Sequence, residues 1–216
     1  MTVVCALQIS LRRELPLVNA DGDHTCSGSI IGEQYVLTAA HCVGGPSASP
    51  SKFRVIVGEQ NVHQKDDTEE SRKVESITTH PNWDSKTLNY DYAILKLNAP
   101  LNFTGRHRHM MPICLPQKDQ SFEGQTCTAS GWGLARNGSE GGVYRPSKLQ
   151  KADLPIVAHD ACREYYEGVN QVHDSTMICA GLVGSGKGAA KETASFLILS
   201  ANACESPNAY TRGIRS

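Results

Sequence analysis

Short runs rich in Val, Ile, Leu and Tyr recur along the chain between clusters of Gly, Pro, Asn and Asp, and helical periodicity is nearly absent. This pattern constrains the fold more than any other feature, because it is that of antiparallel strands joined by turns. It predicts strands over residues 7–11, 29–38, 53–57, 74–79, 92–97, 125–132, 148–157 and 177–180. One short helix is expected over 159–167, with Asp160 as its N-terminal cap. The segments 44–51, 64–72 and 136–146 are rich in Gly, Ser, Pro or charge and read as surface loops. Many short strands without long helices favour a barrel or sandwich. A division between two halves falls at residues 100–116, where Pro112 and Pro116 punctuate a loop-rich connection.

Composition narrows the function classes. With 216 residues and 39% hydrophobic content the chain can build a packed core. Its 21 basic residues against 22 acidic ones leave no cationic character of the kind that nucleic acid or anionic membrane selects, so neither partner is expected. Eight cysteines without a CxxC pair point to disulfides in an oxidising, extracellular setting. The first residues, Met1 to Ala6, lack the charged start and apolar run of a secretory signal, so no export signal is read in this chain. The apolar stretch Phe196-Leu197-Ile198-Leu199 is far shorter than the roughly 20 residues that cross a bilayer. Sequons at Asn102-Phe103-Thr104 and Asn137-Gly138-Ser139 support secretion weakly.

Two segments carry chemistry. Leu37-Thr38-Ala39-Ala40-His41-Cys42 sets a histidine at the end of an apolar strand, beside a cysteine that a bond to Cys26 would anchor. Asn89-Tyr90-Asp91-Tyr92-Ala93-Ile94-Leu95 places one carboxylate just ahead of another strand. Nucleophilic amide cleavage needs a base to activate a hydroxyl and a buried carboxylate to fix that base's tautomer. His41 suits the first role and Asp91 the second.

These motifs, with Gly131-Trp132-Gly133, the 112–116 segment and Met177-Ile178-Cys179-Ala180-Gly181, resemble trypsin-like (chymotrypsin-family) serine endopeptidases over residues 6–188. The resemblance implies a single all-β domain over 1–216 made of two antiparallel β-barrels of the chymotrypsin/trypsin type. The first spans about 6–105 and the second about 115–216, with the active site between them. It also implies His41 as general base, Asp91 as orienting carboxylate, and the pairs Cys26–Cys42 and Cys162–Cys179. A monomer acting on protein or peptide is expected.

Departures from the family pattern matter as much as the match. Residues 6–11 look like the family's first strand, so the segment that supplies a cleavage-generated amino terminus is expected to be absent. After Gly188 the family pattern calls for a cysteine, two residues and then Asp-Ser-Gly-Gly-Pro, where this chain reads Ala190-Lys191-Glu192-Thr193-Ala194-Ser195-Phe196. Gly-Asp-Ser-Gly-Gly occurs nowhere in it. If Cys-Lys-Gly-Asp-Ser were encoded TGC AAA GGA GAC AGC, skipping the first T would give Ala-Lys-Glu-Thr-Ala, so a one-base frame shift or a misplaced exon edge is the hypothesis; an unbroken, well-covered reading frame in the transcript would refute it. From about residue 190 the second barrel is expected to be aberrant and incomplete. Ser200–Cys204 and Pro207–Arg212 resemble later family segments, Cys204 faces Ala190, Cys127 loses its mate, and Cys5 and Cys114 stay unassigned.

Rival signals weigh less. Ser185 and Ser195 lack the context that builds an oxyanion pocket. Gly181 to Gly188 nearly spells a phosphate-binding loop, but Gly188 stands where a magnesium-ligating hydroxyl belongs. Glu59, Asp66 and Glu69 bracket a loop resembling the calcium loop of some relatives, against which a solvated acidic loop is the plainer reading because Lys65 and Arg72 dilute the charge. His107 and His109 alternate with Arg106 and Arg108 and read as a solvated basic loop. No other cofactor is expected. The expected function is therefore a serine-endopeptidase domain that is inactive as written, the alternative being a pseudoprotease that binds a protein partner.

Overall fold

The computed structural model describes residues 2–4, 14–65, 67–113, 115–117, 119–133, 135–136, 143–181 and 197–198. Six strands close a barrel in the first half: β2 (Glu14–Asn19), β3 (His24–Ile30), β4 (Tyr35–Thr38), β5 (Phe53–Val57), β6 (Glu70–Thr79) and β7 (Ala93–Leu97), in spatial order β2-β3-β4-β7-β6-β5. β1 (Thr2–Val4) belongs to the second sheet. Closure comes from β2, which pairs with β3 on one side and with β5 on the other through Leu17↔Val55 and Val18↔Arg54. Alternating residues of β5 and β7 point inward, so Val55, Val57, Ala93, Leu95 and Leu97 join Leu15, Leu17, Ile30 and Val36 in one buried cluster.

The second half is built differently. β8 (Thr126–Gly131) and β11 (Gln150–Val157) pair over six residues from Gln150↔Gly131 to Pro155↔Thr126. β1 lies against the other side of β8. Two-residue strands, β12 (Cys179–Ala180) and β13 (Leu197–Ile198), end the sheet in the order β12-β11-β8-β1-β13. β9 (Ala135–Arg136) and β10 (Val143–Tyr144) form a separate ribbon. Among the described residues this sheet does not close, and its core is small: Phe122, Cys127, Ala129, Leu154, Ile156 and Ala180, with Ile178 packed alongside. The all-β architecture, one closed barrel and one open sheet, agrees with the chymotrypsin-type fold.

Several local expectations change. The run 29–38 is not one strand but parts of two, because residues 31–35 turn: Ile31 N–H donates to the Tyr35 carbonyl (2.9 Å) and Tyr35 N–H to that of Gly32 (3.3 Å). β6 starts at Glu70, inside the expected loop 64–72, where Glu70 pairs with Arg72 on the same strand and with His107 from the segment after β7. β2 was not foreseen. Its Pro16 interrupts the pattern, and it sits one residue before the β5 pairing starts, where a missing N–H harms the ladder least. The expected strand over 7–11 lies outside the described residues.

The helix after β11 is α2 in chain order, after α1 (Ala40–Val43), and spans His159–Tyr165. Asp160 does not cap it. Ala158 takes the cap position without a side-chain bond, and the Asp160 carboxylate pairs with Arg163 one turn on. Disulfides join Cys26 to Cys42 and Cys162 to Cys179. Cys127 is disulfide-bonded as well, which corrects the expectation that it lacks a mate. Cys5, Cys114 and Cys204 lie outside the described residues.

Candidate active site

His41 and Asp91 meet because two paired strands end at the same level. β4 and β7 run antiparallel with Thr38 opposite Ala93. His41 follows β4 in the single-turn helix α1, and Asp91 precedes β7. α1 starts at Ala40 without a side-chain cap and ends at Gly44, whose φ of 81° a residue with a Cβ disfavours. Such a short helix has little stability of its own, and the Cys42–Cys26 disulfide ties it to β3.

The Asp91 carboxylate brackets the histidine. Its Oδ1 accepts the His41 backbone N–H at 2.8 Å, and its Oδ2 lies 2.6 Å from the ring Nδ1. A carboxylate only accepts, so Nδ1 carries the proton and the lone pair falls on Nε2. The Asp91 side chain is 10% exposed and that of His41 32% exposed, a carboxylate sealed behind an imidazole that reaches solvent. Nε2 lies 3.5 Å from Cys42 Sγ, a disulfide sulfur with no proton to give. The arrangement holds the imidazole in one tautomer, with its second ring nitrogen beside the Cys42 sulfur. Ser185 and Ser195 lie outside the described residues.

Behind the pair, Leu37 and Ile113 are buried and pack with Ile31 and Tyr92. Burial pushes the Tyr92 phenol above its usual range, and the neighbouring Asp91 charge and Tyr90 add to the effect. Tyr92 therefore stays a neutral hydrogen-bond donor beside the carboxylate.

A sequence profile of the family described as Trypsin matches residues 6–192. The chain belongs to the trypsin family. It is 36% identical over 165 residues to trypsin-1 of Astacus astacus, an alignment covering 76% of this chain and 65% of that protein. It is 34% identical over 184 residues to serine proteinase stubble of Drosophila melanogaster, covering 83% of this chain and 22% of that one. The chain thus spans under two thirds of either relative.

The remaining candidates of this trypsin-family chain fare differently. Glu59 is buried, and its Oε1 accepts the Asn61 N–H at 2.8 Å. Glu59 and Glu69 line a cavity of about 690 Å³ together with Lys65, Arg54 and Arg145. Asp66 lies outside the described residues. Among the described residues the one group of three possible metal ligands is Cys26, His41 and Cys42. Two of those are consumed by their disulfide, so that group does not form a metal site.

His107 is not solvated. It is 4% exposed, its Nδ1 accepts the Asn102 N–H at 2.9 Å and its Nε2 lies 3.1 Å from Glu70 Oε2. Both ring nitrogens are occupied, which removes it as a metal ligand. Its acidic partner stands 37 residues away in sequence, out of reach of local pattern reading.

The 690 Å³ cavity was not foreseen either. It lies between the β2–β3 turn and the 59–71 segment, and Trp132 and His24 also line it. These two rings contact edge to face at 6.1 Å. Burial is the main cause holding the His24 imidazole below its usual value, with Arg145 adding to it, against a backbone hydrogen bond at Cys26 that works the other way.

Proposed function

We propose that this trypsin-family chain is a serine-endopeptidase-type domain that keeps a general base, His41, and its orienting carboxylate, Asp91, yet does not hydrolyse peptide bonds as written. The observation that carries the reading is the pairing of a bracketed imidazole with a sequence in which Ala190 to Phe196 replaces the nucleophile motif. The base has a free lone pair and no activated hydroxyl motif to act on. The missing motif would supply both the attacking oxygen and the amide donors that stabilise a tetrahedral oxyanion, so two catalytic contributions vanish together. The physiological partner is a protein or peptide, the setting extracellular and the working form a monomer.

A fluorophosphonate probe and an apolar chromogenic peptide test this. No labelled serine and no turnover above buffer are expected. Covalent labelling, or hydrolysis that disappears in His41→Ala, overturns the inactive reading. The second reading, a pseudoprotease that binds a protein partner, draws support from the closed barrel, which keeps the scaffold intact around the pair. A stable, unlabelled monomer with a reproducible, saturable partner would favour it.

A further inference from the structure

The short segment that carries Asp91 is held in an unfavourable backbone shape. Leu88 and Tyr90 both have positive φ, 56° and 54°, in the left-handed region that residues with a Cβ avoid. Between them and β7, the Tyr92 N–H donates to the Tyr90 carbonyl at 2.7 Å, a three-residue turn with Asp91 at its centre. A conformation of this kind persists only where its surroundings over-determine it.

Two sets of contacts do so. From the barrel, the His80 ring stacks on Tyr90 at 4.5 Å and 6°, and the His80 N–H donates to the Tyr92 carbonyl at 2.9 Å. From the second half, among the described residues, comes Thr176. Its hydroxyl donates to Asn89 Oδ1 at 2.5 Å, an oxygen that also accepts the Tyr90 N–H at 3.0 Å. Its carbonyl accepts the Tyr92 hydroxyl at 2.5 Å. Thr176 thus grips the residues on both sides of Asp91. The grip is anchored three residues further on, where Cys179 is bonded to Cys162 of α2.

We infer that Thr176 is a positioning residue for Asp91: a two-point clamp through which the second half of the molecule sets the geometry of a His41–Asp91 pair that the barrel alone does not fully fix. The inference rests on the reading of that pair given above. Releasing the clamp lets the turn at Asp91 relax, which lengthens the bond from His41 Nδ1 to Oδ2 without touching either residue.

The test needs no catalysis. A proton held between His41 Nδ1 and Asp91 Oδ2 gives a low-field nuclear magnetic resonance that exchanges slowly with water and vanishes in Asp91→Asn. In the full-length chain, Thr176→Val and Tyr92→Phe are expected to speed that exchange at least about tenfold and to move the resonance upfield. Thr176→Ser, which keeps the hydroxyl and the carbonyl, is expected to restore the original line. If Thr176→Val fails to fold, Tyr92→Phe decides, since it removes one oxygen and keeps the ring. An unchanged resonance in the folded variants overturns the clamp while leaving the pair intact. Absence of the resonance from the unsubstituted chain overturns the pair itself, and the clamp with it.

Discussion

Among the described residues, the barrel of residues 14–97 and the sheet of the second half meet the same problem, satisfying strand edges, in different ways. In the barrel every strand has two neighbours and the core gathers fourteen buried residues, from Leu15 to Met110. Among the described residues of the second half the sheet ends on strands of two residues, and six buried residues form its core. Closure removes edges altogether, whereas an open sheet leaves unpaired backbone groups at its margins. His41 and Asp91 border the closed half, and its paired strands hold their backbones.

The strongest challenge to this contrast is a pair of core truncations. Leu95→Ala removes a fully buried side chain from the closed barrel and is expected to cost about 3–5 kcal/mol, while Ile156→Ala in the open sheet should cost about 2 kcal/mol because its surroundings can collapse into the space. Urea unfolding measures both, and equal losses would show the two cores to be equally tight.

The disulfides sharpen the comparison. Cys26–Cys42 and Cys162–Cys179 close loops of nearly equal length, with separations of 16 and 17 residues, so each contributes about 3 kcal/mol by loop entropy alone. Replacing each pair by alanines should shift the midpoint similarly. A larger loss for the first would report the additional order of α1 and His41, and a larger loss for the second would contradict the ranking of the halves.

Two glycines form the next comparison. A Cβ on Gly45 would lie 1.9 Å from the Trp83 ring, at φ +63°, whereas Gly124 in the second half has φ +76° and open space. Gly45→Ala is expected to destabilise by about 2–3 kcal/mol through overpacking and strain, and Gly124→Ala by about 1 kcal/mol through backbone strain alone. Thermal unfolding followed by circular dichroism reads the difference.

The smallest effect concerns pH. Burial works to raise the pKa of Glu70, but hydrogen bonds from His107 and Arg72 and the nearby guanidinium charges leave it below the ordinary glutamate value. The depressed folded value means that the carboxylate stabilises the barrel above about pH 4.5. That stability is lost as pH falls through the lower folded value. Glu70→Gln should therefore weaken the protein by about 1 kcal/mol at pH 7 and by progressively less as the medium is acidified through the folded value, a convergence visible in paired urea titrations.

The barrel was legible in sequence where alternation was clean. Phe53–Val57 and the strand after Asp91 carry apolar residues at every second position, and their burial follows that period. Asp91 and His41 were legible as candidates because each stands in a motif at a strand end, and the structure brings the two side chains together. What escaped depended on distant partners. The charged start of β6 reads as a loop until Glu70 meets His107 and Arg72. β2 hides behind Pro16, and the turn at 31–35 is written in residues that also suit a strand. The clamp at Thr176 joins residues 84 and 87 positions apart, a separation at which local periodicity carries no information.

The register that sets Thr38 opposite Ala93 has an engineering consequence. His41 and Asp91 flank adjacent strands of one continuous sheet, so the register of the barrel brings them close and leaves the Thr176 clamp only their fine geometry to set. A redesign of the second half would therefore have to preserve Thr176, but would not have to create the encounter of the two side chains.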